Sequence, residues 1–117
     1  MPTFTLYHNP RCSKSRAALE LLEARGLAVT VVRYLETPPS AETLRGLLQR
    51  LGIGARELLR TGEEEYKTLN LADPSHSEQA LIEAMVSHPK LIERPILASG
   101  DKAAIGRPLD NLLELLP

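Results

Sequence analysis

Residues 4–35 read FTLYHNPRCSKSRAALELLEARGLAVTVVRYL. The run Phe4–Asn9 is β-prone and stops at Pro10, so it predicts a strand leading into a loop. Residues 13–25 are good helix formers with apolar side chains at Ala17, Ala18, Leu21, Leu22 and Ala24, and Gly26 stands where helices commonly end. Residues 27–35 are rich in β-branched side chains and form the clearest strand signal in the chain. Strand, helix, strand in this order predicts a parallel pair joined by a right-handed crossover.

Beyond this unit the pattern turns helical. Ser40 is placed to cap a helix that carries Leu44, Leu47, Leu48 and Leu51 on one face and closes at Gly52. Residues 55–60 and 63–69 predict two short helices around Thr61 and Gly62. Ser75 and Glu78 have the spacing of a capping box, opening a helix that ends at Pro89. Then Ile96–Ala98 and Ala103–Gly106 predict two brief strands of a hairpin. Leu109, Leu112, Leu113 and Leu116 predict a last helix of α-helical period. The order is β-α-β, a helical block, β-β-α. It contains no repeat or linker-like stretch, so one domain over residues 1–117 is expected.

Composition narrows the function classes. With 43% hydrophobic and 25% charged residues the chain is an ordinary globular protein, and with 3% aromatics its core is expected to be built from Leu, Ile, Val and Ala. A net charge of -1 argues against general affinity for nucleic acid or membrane surfaces. No apolar run approaches the roughly 20 residues that span a bilayer. Residues 1–7 lack the basic start and apolar length of a secretory signal, and Cys12 is the sole cysteine. A cytoplasmic protein without a disulfide is therefore expected. Gly52 and Gly54 follow a helix rather than a strand, which argues against a dinucleotide loop. His76 and His88 lack partner cysteines, so no metal site is expected.

Cys12 is flanked by Asn9, Pro10, Arg11, Ser13, Lys14, Ser15 and Arg16, all poor core material. On the strand-loop-helix reading it opens the first helix, where unpaired N–H groups and the helix dipole favour negative charge. A thiolate is the nucleophilic form of cysteine, and such a position favours it. Serine offers no equivalent near neutral pH. Three templates for a reactive cysteine do not fit. Ser15 stands where a dithiol oxidoreductase has its second cysteine, Arg16 is two residues too early for a tyrosine-phosphatase loop, and His8 is too near in sequence for a cysteine protease base. What remains is a thiol in a cationic loop whose partner sulfur comes from another molecule.

His8, Cys12 and Arg16, spaced H-x3-C-x3-R, resemble the glutaredoxin-coupled arsenate reductase family. The later stretches YLETPPS, LLR ending at Arg60, LIERPI containing Arg94 and IGRP containing Arg107 resemble that family's blocks in the same order. Ser13 and Lys14 depart from it, standing where those reductases tend to have Gly-Thr. The resemblance implies a thioredoxin-like α/β fold: a small mixed β-sheet flanked by helices, with a helical insertion between the second and third strands. It implies that Pro95 is a cis-proline beside the cysteine. It also implies that Cys12 attacks arsenate and displaces water, that glutathione and glutaredoxin then supply the electrons, and that Arg60, Arg94 and Arg107 clamp the oxyanion. Guanidinium groups suit that task, being always charged and offering forked donors. His8 would tune Cys12, as an imidazolium or a hydrogen-bond donor. Asn9 and Arg16 would shape the loop, and Ser15 would donate to the sulfur. No tightly bound cofactor is expected, with glutathione as co-substrate, and the protein is expected to be a monomer. Two other readings share the fold: an adaptor that binds a partner such as RNA polymerase without catalysis, and a thiol reductase acting on another substrate.

Overall fold

Phe4, Leu6 and His8 are buried and alternate with half-buried Thr5 and Tyr7, the period of a strand with one face in a core. This strand is β1 (Phe4–His8) in a computed structural model that describes residues 3–116. The helix α1 (Ser13–Ala24) follows, and then β2 (Val29–Arg33). The hairpin strands β3 (Ile96–Ser99) and β4 (Lys102–Ile105) come from the far end of the chain. Together they form one mixed sheet in the order β2-β1-β3-β4. β1 runs parallel to β2 and antiparallel to β3, and β3 is antiparallel to β4. The β-α-β expectation and the hairpin are both met, and so is the α/β class with its mixed sheet.

Two compact units divide the chain: one built from its two ends, up to Thr37 and from Arg94 onward, the other Pro38–Glu93. In the first unit, Phe4, Leu6, Ala18, Leu22, Leu97 and Leu112 make a closed apolar cluster, each at most 2% exposed. Burying a side chain of Leu or Phe size stabilises by about 1.5–3 kcal/mol. The cluster therefore clamps α1 and the C-terminal segment onto the face of β1 that also carries His8.

The second unit is the helical insertion. It holds α2 (Ala41–Leu51), α3 (Ala55–Leu58), α4 (Glu64–Thr68), α5 (Glu78–Ser87) and a 3₁₀ turn at Pro89–Leu91. Ser40 caps α2 by accepting the Thr43 N–H at 3.1 Å, and Gly52 ends it at φ 71°, a left-handed conformation that favours glycine. Leu44, Leu47 and Leu48 of α2 are buried, as are Leu81, Ile82 and Met85 of α5.

Two expectations are corrected here. Ser75 does not open a capping box. Its N–H donates to Asp73 Oδ1 at 2.9 Å in a local turn, and the helix starts later, capped by Ser77, which accepts the Ala80 N–H at 3.1 Å. Glu78 is thereby freed to reach Ala55, whose N–H it accepts at 2.9 and 3.1 Å, so it caps α3 instead. The last helix is also not α-helical: Leu109–Leu115 is 3₁₀. Leu109, Leu112 and Leu115, three apart, pack on the core of the first unit, while Leu113 stays 40% exposed. Side chains three apart line up in a 3₁₀ helix, so burial of this leucine row favours that winding.

Gly106 closes the sheet end. Its N–H donates to Pro95 O at 2.8 Å, and a Cβ there would lie 2.8 Å from Pro95 Cγ and 3.2 Å from Leu112 Cδ1. Gly106→Ala should lower stability by about 1–3 kcal/mol in urea unfolding, as overpacking does. A variant that unfolds at the wild-type midpoint would show that this contact relaxes freely.

Candidate active site

The sheet register gathers the candidate residues. β1 ends at His8, paired with Arg33 at the end of β2. On the other side Tyr7 pairs with Ile96, and Ile96 pairs with Ile105. One step further along each pairing, Pro95 falls opposite His8, and the Gly106 N–H is bonded to the Pro95 carbonyl. The Cys12 loop, Arg33, Arg94 and Arg107 therefore all leave from one end of the sheet.

Cys12 is the N-cap residue of α1, in an extended conformation (φ −95°, ψ 124°) and 8% exposed. Its N–H donates to Asn9 O at 3.0 Å, which closes a turn over Asn9–Cys12, and its carbonyl accepts the Arg16 N–H at 2.9 Å. No side chain caps α1, and its first turn holds no acidic residue. The leading N–H groups and the dipole of a 12-residue helix thus stand beside the sulfur, in a setting that attracts anions.

His8 lies under this loop. It is 4% exposed, and its Nδ1 is 2.6 Å from Ser15 Oγ, with Ser15 fully buried in the first turn of α1. Ser15 Oγ also accepts the Asn9 N–H at 3.0 Å, and Asn9 Oδ1 accepts the Arg11 N–H at 3.0 Å. Asn9 thus bonds to Ser15, Arg11 and Cys12 within the loop. The Ser15 hydroxyl has a different role from the one expected: it is engaged by His8 and Asn9, not by the sulfur. Burial and then the nearby Arg33 charge lower the His8 pKa from 6.5, against a raising contribution from Ser15. This shift disfavours the imidazolium form of the ring. The tautomer of the ring sets which of Nδ1 and the Ser15 hydroxyl donates in this bond.

The arginines fall into two groups. Arg94 and Arg107 are joined, with Arg107 Nε donating to Arg94 O at 2.9 Å. Arg94 Nε and Nη1 are shielded from solvent. The Arg94–Pro95 peptide is cis, as the resemblance implied, and Arg107–Pro108 is cis as well. Arg60 belongs to the helical unit, where its guanidinium sits 2.9 Å from Glu63 and 3.7 Å from Glu93. An oxyanion at Arg60 would compete with two carboxylates. Arg16 is exposed on α1, its N–H spent on the Cys12 carbonyl.

Sequence reasoning missed Arg33 and Glu36. They line, with His8, Arg11 and Leu35, a cleft of about 250 Å³ beside the loop. The signal was present: in a parallel β-α-β unit the ends of the two strands are neighbours, so a charge ending β2 belongs to the loop after β1.

Comparison with known proteins identifies the family of the chain. The ArsC family model matches residues 7–115. The chain is 59% identical over 112 residues to the uncharacterized protein YfgD of Escherichia coli strain K12, covering 95% of this chain and 94% of that one. It is 49% identical over 117 residues to an arsenate reductase of Neisseria meningitidis serogroup B, covering 99% and 100%. Among solved structures, an arsenate reductase from Vibrio cholerae superposes with a TM-score of 0.95 at 51% identity, covering 97% of this chain and 98% of that one. A cysteine capping the first helix at a sheet end that also carries Arg94, cis-Pro95 and Arg107, in a chain that matches the ArsC model over nearly its whole length, makes this protein a member of the ArsC family.

Proposed function

We propose that the protein is an arsenate reductase that uses Cys12 as nucleophile and draws its electrons from glutathione and glutaredoxin. The observation that carries this reading is Cys12 at the uncapped N-terminus of α1, on the sheet end shared with Arg94 and Arg107. The arsenate reductases among its relatives, matched over the full length, favour an enzyme over a non-catalytic adaptor of the same fold.

The chemistry follows from the site. The Cys12 thiolate attacks arsenic(V), and a protonated oxygen leaves as water. The helix N–H groups, Arg94 and Arg107 hold the remaining oxygens, with charge-assisted bonds roughly twice as strong as neutral ones. The glutathione thiol then displaces a second oxygen from arsenic as water, and the glutaredoxin thiolate attacks the glutathione sulfur, breaking its bond to arsenic. These two sulfurs end as one mixed disulfide, and their two electrons convert arsenic(V) to arsenic(III). Hydrolysis of the remaining S–As bond frees arsenite and restores Cys12. Reduced thiols at this abundance are a feature of the cytoplasm, where we place the protein. His8, tied to Ser15 and with its protonated form disfavoured by burial, serves as a support that fixes the loop.

With glutathione, glutaredoxin and NADPH regeneration, the wild type should reduce arsenate and Cys12→Ser should fall to background. Arg94→Ala should raise the KM for arsenate about tenfold, the scale of one charge-assisted contact. Arsenate should also shield Cys12 from iodoacetamide. Absence of wild-type turnover together with retained binding to RNA polymerase would instead establish the adaptor.

His8 has a consequence for stability. Its folded pKa lies below 6.5, so as the pH falls through 6.5 the unfolded chain takes up a proton that the folded chain resists. Stability should therefore fall with decreasing pH from about 6.5 down to the depressed value, and level off for this group below it. His8→Gln should flatten that part of the urea-unfolding profile. A ring titration by NMR with a midpoint at or above 6.5 would contradict the assignment.

A further inference from the structure

Two guanidinium groups and one carboxylate meet at the cleft beside the Cys12 loop, and the oxyanion chemistry above uses none of them. Arg11 immediately precedes Cys12, and Arg33 and Glu36 come from the end of β2 and the turn after it. Arg33 and Glu36 pair only loosely, 3.7 Å apart, with side chains 59% and 68% exposed. A solvated pair of this kind contributes little and exchanges readily for a ligand. Pro10, Leu35 and His8 also line the cleft.

We propose that this cleft binds the thiol co-substrate: a peptide thiol that carries an amino-acid zwitterion and a second carboxylate, the chemistry of glutathione. The inference rests on the proposed function for its biological setting. Its physical basis is complementarity. The two guanidinium groups match two carboxylates, and Glu36 matches one ammonium. Apolar Pro10 and Leu35 suit the methylene chain between the zwitterion and the thiol. The cleft opens one residue from Cys12, and the Cys12 N–H bond to Asn9 O at 3.0 Å holds that turn in place. A ligand seated there would present its sulfur to Cys12 from the side of β2, while Arg94 and Arg107 belong to segments on the side of β3 and β4. The two substrates thus approach from opposite sides and need not displace one another.

The test has an arm that needs no arsenate. The Cys12 thiolate attacks oxidised glutathione, forming a Cys12–glutathione disulfide and releasing one glutathione thiolate. Arg33→Leu should slow this exchange roughly fivefold, the scale of one exposed ion pair. Exchange with bis(2-hydroxyethyl) disulfide, which is uncharged, should stay within about twofold of wild type by the same scale. Arg33→Lys should recover most of the loss, and Arg25→Leu, at the far end of α1, should leave both rates unchanged. In the second arm, Arg33→Leu should raise the KM for glutathione in arsenate reduction without changing the KM for arsenate. Equal slowing with both disulfides, no slowing with either, or a change confined to the KM for arsenate would overturn the assignment. If the wild type fails to reduce arsenate, the enzymatic reading falls and the exchange arm alone decides this one.

Discussion

The contact between His8 and Ser15 holds the site together. At 2.6 Å between Nδ1 and Oγ, it joins the last residue of β1 to the first turn of α1, across the loop that carries Cys12. Both partners are buried, so breaking the bond would strand a polar group away from water. The same serine oxygen accepts the Asn9 N–H, and Asn9 holds both Cys12 and Arg11 through its carbonyl and its side chain. A chain of short hydrogen bonds thus runs from the strand to the helix and returns through the loop. The N–H groups of Asn9, Arg11 and Cys12 thus all have local partners, which ties the loop to α1.

Charge around this frame is distributed by topology. A strand order of β2-β1-β3-β4 places β1 inside the sheet, so the residue ending it is flanked on both sides. Arg33 arrives on one side, and the Arg94–Pro95 and Gly106–Arg107 segments on the other. Arg33, Arg94 and Arg107 therefore all lie at the sheet end that carries the Cys12 loop. The lowered pKa of His8 belongs to the same arrangement: burial of the ring and then the Arg33 charge disfavour its protonated form. Arg60 follows a different logic, since Glu63 and Glu93 balance it inside the helical unit.

Much of this was legible in the residues. The β-α-β start, the hairpin and the helix boundaries at Ser40 and Gly52 follow from β-branched runs, caps and a left-handed glycine, all of them local signals. The cysteine was legible because it is alone and its neighbours are unfit for a core. What local signals missed was set by packing. The leucine row at residues 109–116 allows two periods, and contact with the first unit selects the shorter one. The Ser75–Glu78 spacing fits a capping box until Ala55 is brought within reach of the Glu78 carboxylate. Ser15 fits a sulfur donor until the alternation in β1 turns His8 toward it. Arg33 reads as a surface charge until parallel pairing sets it beside His8.

The close approach at Gly106 bears on how such a site diversifies. With Pro95 on one side and Leu112 on the other, no side chain fits there, so the hairpin end behind the chemistry tolerates almost no variation. Arg33 and Glu36, by contrast, stand mostly in water and carry little of the fold. A substitution at Arg33 or Glu36 would thus change the charge at the mouth of the cleft at little cost to the fold, whereas one at Gly106 would be transmitted through Pro95 and Leu112 to the packing behind the loop.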